Sequence, residues 1–112
     1  PMDVVLNSAD EKFLAKLQTI IDEKLQNPDF SAEEFADTLG MSRMQLHRKL
    51  KSLTGFSATE FIRKERLKMA AALLKNKTLN VSEIAFAVGF NDADYFTKCF
   101  KEEFGVTPSQ FN

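Results

Sequence analysis

Met44, His47, Arg48 and Lys51 stand at i, i+3, i+4 and i+7, a spacing that stacks four polar or polarisable side chains along one helical face. Asp94, Thr97, Lys98 and Lys101 repeat the spacing at an offset of 50. Neither set joins a nucleophile to a base and an orienting acid, and no glycine-rich phosphate loop or metal-ligand cluster accompanies them, so catalysis is the weakest function class. What the stripes do supply is cationic and hydrogen-bonding contact. An arginine fork matches guanine O6 and N7, an amide pairs with adenine, a carboxylate accepts from cytosine N4, and basic groups meet phosphates. Duplex DNA is the commonest long, regular partner that offers these groups at two successive points.

The elements that must carry the stripes are set by the apolar positions between them. Leu46, Leu50 and Leu53 recur at four and then three residues and must look inward, as must Phe96 and Phe100. The two stretches belong to an internal repeat covering residues 31–61 and 80–111. Its first half aligns at an offset of 49 and its second at 50, so the second copy holds one extra residue in its turn. Gly40 falls on Gly89, Leu46 on Phe96, Leu50 on Phe100, Gly55 on Gly105 and Phe61 on Phe111. Each copy reads as a short helix, a turn with glycine and a capping residue, then a second helix. This is the helix-turn-helix layout, in which the first helix braces the second.

Around the repeat the pattern predicts further helices and no strand. Phe13, Leu14, Leu17, Ile20, Ile21 and Leu25 give an amphipathic helix over residues 10–26, with Asp10 and Glu11 at the end the dipole favours. Asn27-Pro28-Asp29 ends it. Ser31 with Glu34, and Ser57 with Glu60, are capping boxes, and Ser42 caps the helix between them. From Ser57 a long helix is expected to about Lys75, with Phe61, Leu67, Ala70, Ala71 and Leu74 inward. Helices at about Val81–Val88 and Asp92–Phe104 follow, and Pro108 suits the first turn of a last short one. The fold class is therefore all-α: residues 1–29 as a linker and amphipathic helix, 30–56 as a first lobe, 57–76 as a central helix and 77–112 as a second lobe. The broad apolar face of the first helix is expected to dock on the first lobe; pairing with a second copy is its alternative.

Composition sets the outer limits. With 112 residues, 44% hydrophobic content and 11 Phe, one core or two small joined ones can form. No apolar run approaches the ~20 residues of a membrane span, and no signal peptide is visible, so the chain is expected in the cytoplasm. One Cys and one His exclude a disulfide framework and a typical structural zinc site, and no cofactor is expected. The net charge of −1 hides a division: residues 1–40 carry −6 and residues 41–112 carry +5. The basic excess is densest between Arg43 and Lys68.

IRKERLKMAAALL, and above all AFAVGFNDADYFTKCFKEEFGVTPSQF, resemble the two-motif DNA-binding domain of AraC/XylS transcription regulators, over roughly residues 30–112. The resemblance implies seven helices in two helix-turn-helix lobes on a long central helix, reading consecutive major-groove segments, most often as an activator. It places base-facing positions on Arg43, Met44, Gln45, His47 and Arg48, and on Asp92, Ala93, Asp94, Thr97 and Lys98. Ser42, Lys51, Arg63, Arg66, Asn91 and Lys101 are the phosphate candidates. DEKFLAKLQTIIDEKLQNPDFSAEEFA is similar to the segment preceding this domain in response regulators and hybrid two-component sensors. That likeness, with the start at Pro1, suggests a piece of a longer protein. Its upstream signalling domain, contacts with the transcription machinery, a homodimer through missing regions, and a membrane anchor in a hybrid parent would lie outside this sequence.

Plainer readings stand beside these. His47 can be an idle solvated side chain, Met44 a core filler, and Arg63 and Arg66 ordinary surface charges. Asp94 is repelled by phosphate and serves equally well paired with Lys98 at i+4 or favouring its helix N-terminus. Cys99 reads as a small buried hydrophobe. For the whole chain the alternative function is a helical protein-interaction module.

Overall fold

The computed structural model describes residues 6–111, and among these all the regular secondary structure is helical. The α-helices are Ser8–Lys24 (α1), Ala32–Thr38 (α2), Arg43–Thr54 (α3), Ala58–Asn76 (α4), Val81–Ala87 (α5) and Ala93–Phe104 (α6), closed by a 3-10 turn at Pro108–Gln110. Pro108 does open that turn, where its missing N–H costs nothing.

Side-chain caps set most of the starts. α1 begins two residues before the expected position because Asn7 caps it: Asn7 Oδ1 accepts from the Asp10 N–H at 2.8 Å, and the Asp10 carboxylate accepts in return from the Asn7 N–H. Asp10 thus adds a direct cap to the favourable dipole position that the sequence gives it. Full capping boxes also open α3 at Ser42 and Gln45, α4 at Ser57 and Glu60, and α5 at Asn80 and Glu83. At α2 only half of the expected box forms. Ser31 accepts from the Glu34 N–H at 3.2 Å, but the Glu34 carboxylate instead takes Lys24 Nζ at 2.9 Å, tying α2 to the end of α1. α3 and α6 both end on a left-handed glycine, Gly55 at φ 84° and Gly105 at φ 80°, as the repeat demands.

Two apolar clusters hold these helices. The first gathers Phe13, Leu17, Ile20, Ile21 and Leu25 with Phe30, Phe35, Leu46, Leu50, Ala58 and Ile62. The second gathers Leu67, Ala70, Ile84, Ala85, Val88, Phe90, Phe96, Cys99 and Phe100. α1 therefore docks on the first lobe and forms one wall of its core. Burying a large apolar side chain is worth about 2 kcal/mol, against about 1 kcal/mol for a cap. Packing, more than capping, fixes α1 in place.

The repeat is visible in the cores. Phe61 stacks on Phe35 with ring centroids 6.4 Å apart, and its counterpart Phe111 meets Phe100 edge-on at 5.3 Å. The Met41 N–H donates to the Ala36 carbonyl at 2.9 Å, and the Phe90 N–H to the Ala85 carbonyl at the same distance. These are one bond at an offset of 49. The N-caps that follow, Ser42 and Asp92, are offset by 50, so the extra residue of the second turn is Asn91.

α4 belongs to both lobes. Ala58 and Ile62 lie in the first core, Leu67 and Ala70 in the second. Its 19 residues make a rod of about 28 Å at ~1.5 Å per residue. The described chain measures 40 × 30 × 21 Å.

Candidate nucleic-acid interface

On α3 the inward set is closed off completely: Leu46 and Leu50 have no exposed surface. Leu53 is partly buried against the same core. Arg43, Met44, Gln45, His47, Arg48 and Lys51 are all exposed. Met44 reaches 62% exposure, which removes the core-filler reading for this residue. Its thioether sulfur accepts from Arg48 Nη2 at 3.1 Å, so the arginine is steered along the outer face by a weak, polarisable partner. Ser42 Oγ accepts from the Gln45 N–H at 3.1 Å, and Gln45 Oε1 accepts from the Ser42 N–H at 2.9 Å. Gln45 keeps its amide donors free. To pair with an adenine through both amide atoms it must release the cap.

α6 follows the same plan with different chemistry. Phe96 and Phe100 are fully buried, while Asp92, Asp94, Lys98 and Lys101 are exposed and Ala93 and Thr97 half-buried. Asp92 is the N-cap, its Oδ1 accepting from the Asp94 N–H at 2.8 Å and the Tyr95 N–H at 3.0 Å. That oxygen serves its own helix. Thr97 Oγ1 donates back to the Ala93 carbonyl at 3.0 Å, leaving its lone pairs free. No ion pair joins Asp94 to Lys98; Asp94 sits in the first turn of α6, beside the positive end of its dipole.

The central helix separates the two arginines expected at phosphates. Arg63 is half-buried and lines a cleft of about 590 Å³ between the lobes, with Phe30, Asn91, Asp92 and Tyr95 on its other walls. Arg66 lines the same cleft, but its guanidinium is turned to the chain itself, which speaks against the phosphate contact expected of it. Its Nε donates to the Leu25 carbonyl at 3.1 Å and its Nη2 to the Asn27 carbonyl at 2.9 Å, with Phe30 O at 3.4 Å. The Leu25 carbonyl belongs to the C-cap of α1, the Asn27 carbonyl also accepts from the Phe30 N–H at 3.1 Å, and Phe30 directly precedes the cap of α2. Burial holds the Arg66 guanidinium below its ordinary pKa.

One residue of the outer face escaped the sequence reading. At the offset of 50, Gln45 corresponds to Tyr95, which is 49% exposed at the start of α6. The neighbouring Cys99 thiol, and after it partial burial, hold the phenol above its ordinary pKa, against a weaker opposite pull from Arg63. The repeat itself carries the signal, since the same offset that pairs Met44 with Asp94 pairs Gln45 with Tyr95. Cys99 is buried and unpaired, as expected.

Among the described residues no group of three or more His, Cys, Asp and Glu side chains could hold a metal ion, and no helix is long and apolar enough to cross a membrane. The paired, outward-facing polar helices on one shared rod are geometrically suited to a duplex, and residues 35–112 match a family model described as a helix-turn-helix domain. The chain belongs to the AraC-type helix-turn-helix family.

This AraC-type domain is 40% identical over 111 residues to histidine kinase P4 of Formosa agariphila, covering 99% of the chain and 8% of that relative. It is 33% identical over 104 residues to the HTH-type transcriptional activator RhaR of Escherichia coli, covering 93% of the chain and 36% of the relative. Among solved structures it resembles the DNA-binding domain of AdpA, a global transcriptional factor, in complex with a target DNA. That likeness has a TM-score of 0.79 and 28% identity, over 86% of each chain. The AraC-type chain thus spans well under half the length of these two sequence relatives.

Proposed function

We propose that this chain is the DNA-reading part of a longer transcription regulator, an activator, which inserts α3 and α6 into adjacent major-groove segments of a double-stranded operator. The observation that carries the proposal is the repeated pair of helices, each with its inner face buried and its outer face polar, set on one helix of about 28 Å. Successive major grooves on one side of a duplex are about 34 Å apart, within reach of two readers on such a rod.

In the first lobe Arg48 forks to a guanine, with Met44, His47, Arg43 and Gln45 reading neighbouring bases or the thymine methyl. In the second, Lys98, Thr97, Asp94 and Ala93 face the bases, with Asp92 holding the helix start. Ser42, Lys51, Arg63, Asn91 and Lys101 take phosphates, and helix N-termini assist. The chain works in the cytoplasm without catalysis or cofactor. Its partners beyond DNA are the transcription machinery and an upstream signalling domain of two-component type, a reading supported by the histidine kinase relative. Any homodimer forms through regions outside this chain.

Selection of bound duplexes from a random pool, at two salt concentrations, tests the proposal. Two enriched motifs about one helical turn apart are expected. One motif would leave base reading to a single lobe. Absence of enrichment at low salt would overturn sequence-specific reading by this chain and favour the helical interaction module.

A further inference from the structure

Between Ile62, the last buried α4 residue of the first core, and Leu67, the first of the second, lies one turn of helix: Arg63, Lys64, Glu65 and Arg66. Neither core clamps this turn with a buried side chain. If α4 alone connected the lobes, bending would concentrate here. Two of the four side chains instead leave the helix on nearly opposite sides, about 200° apart at ~3.6 residues per turn, and each ties one lobe to the other.

Arg66 holds the carbonyls of Leu25, Asn27 and Phe30 at the corner between α1 and α2. Pressed against the same corner is Gly89, in the turn of the second lobe. A methyl group in place of its hydrogen would come within 2.5 Å of the Leu25 carbonyl oxygen and 2.6 Å of Arg66 Nε. Gly89 also sits at φ +102°, where a side chain is strained, so both space and backbone keep this approach close. On the other side, Lys64 Nζ lies 2.7 Å from Glu103 Oε1 on α6 and 4.7 Å from the centre of the Phe56 ring, just past the end of α3. One residue thus touches the exits of both reading helices.

We propose that this two-sided joint fixes the placement of α6 relative to α3, and so dictates the base-pair spacing between the two half-sites; Arg66 and Lys64 are positioning residues for recognition. The inference rests on the two-helix reading proposed above. Adding one base pair between half-sites turns one of them by roughly 34° and moves it by roughly 3.4 Å along the axis. A stiff joint cannot follow that screw motion; a hinged one can. Arg66 is the stronger side, because its guanidinium bonds are charge-assisted and partly shielded, whereas Lys64 and Glu103 remain about a third exposed.

Arg66→Met and Lys64→Met keep the aliphatic stems and remove the ties. The first measurement needs no DNA: spin labels at Ser52→Cys on α3 and Glu102→Cys on α6, in a Cys99→Ala background, report the distribution of interlobe distances. A narrow distribution that broadens with Arg66→Met, and less with Lys64→Met, is expected at retained helix content. Equal widths in all three proteins would overturn the joint. The second measurement is affinity for duplexes whose half-sites are respaced by one base pair. The unsubstituted chain should lose about tenfold or more, a loss on the scale of a mismatched base pair, and Arg66→Met should lose much less while binding a single half-site as before. Equal respacing penalties would overturn spacing control. If the unsubstituted chain selects no two-part site at all, the two-helix reading fails, and the distance distributions still decide the joint.

Discussion

Arg48 lies on the outer face of α3 with its guanidinium against the Met44 sulfur, a contact weak enough for a guanine to displace. Arg48→Ala is expected to relax preference at one base position at a cost of about 1–3 kcal/mol, read from competition against duplexes varied at that position. Lys98→Ala should change the preferred sequence only if α6 reads bases. Uniform weakening across all duplexes would make the second lobe a phosphate clamp. The division between inner and outer residues was legible, because periodicity alone separates Leu46 and Leu50 from Met44 and Arg48. Which polar groups are already engaged was not. The Gln45 and Asp92 side chains are drawn into their own helix starts. Arg66 binds a corner 41 residues away in sequence, a contact that no local pattern announces.

Helix existence and order followed from capping chemistry and spacing, and the misses were at ends where competing partners decide. Glu34 left its capping box for Lys24, and Asn7, outside the apolar period, captured the start of α1. At α4 the box is complete, and the Ser57 backbone and side-chain hydrogen bonds hold the Glu60 carboxyl below its ordinary pKa. Glu60 therefore adds stability that is present above its unfolded pKa and is lost as pH falls through the depressed folded one. Thermal melts from neutral pH down through the carboxylate range should show a steeper loss for the unsubstituted chain than for Glu60→Gln; parallel curves would rule out this contribution. Removing residues 1–26 strips Phe13, Leu17, Ile20, Ile21 and Leu25 from the first core. The melting temperature should fall sharply, and an unchanged one would mean that α1 serves a partner instead.

For the whole molecule, the division into a −6 and a +5 portion matters more than the net −1. Lys51, Arg63 and Lys101 as phosphate ligands imply that log affinity falls against log salt with a slope near −3, from about 0.9 per neutralised phosphate. A slope near zero in a salt titration would remove phosphate contact from the account. The other whole-molecule property is the shared rod. A duplicated unit suggests two separable modules, and the loop after α4, where Lys77 adopts a left-handed backbone, looks like the natural place to sever them. Cutting there would leave Leu67, Ala70, Leu73 and Leu74 on the first fragment, facing water, and the second fragment without one wall of its core. Cutting before α4 does the same to Ala58 and Ile62. Neither half can be inherited, excised or exchanged by itself: a chimera of two such proteins must cross over inside an unbroken helix, in register, or replace both lobes together.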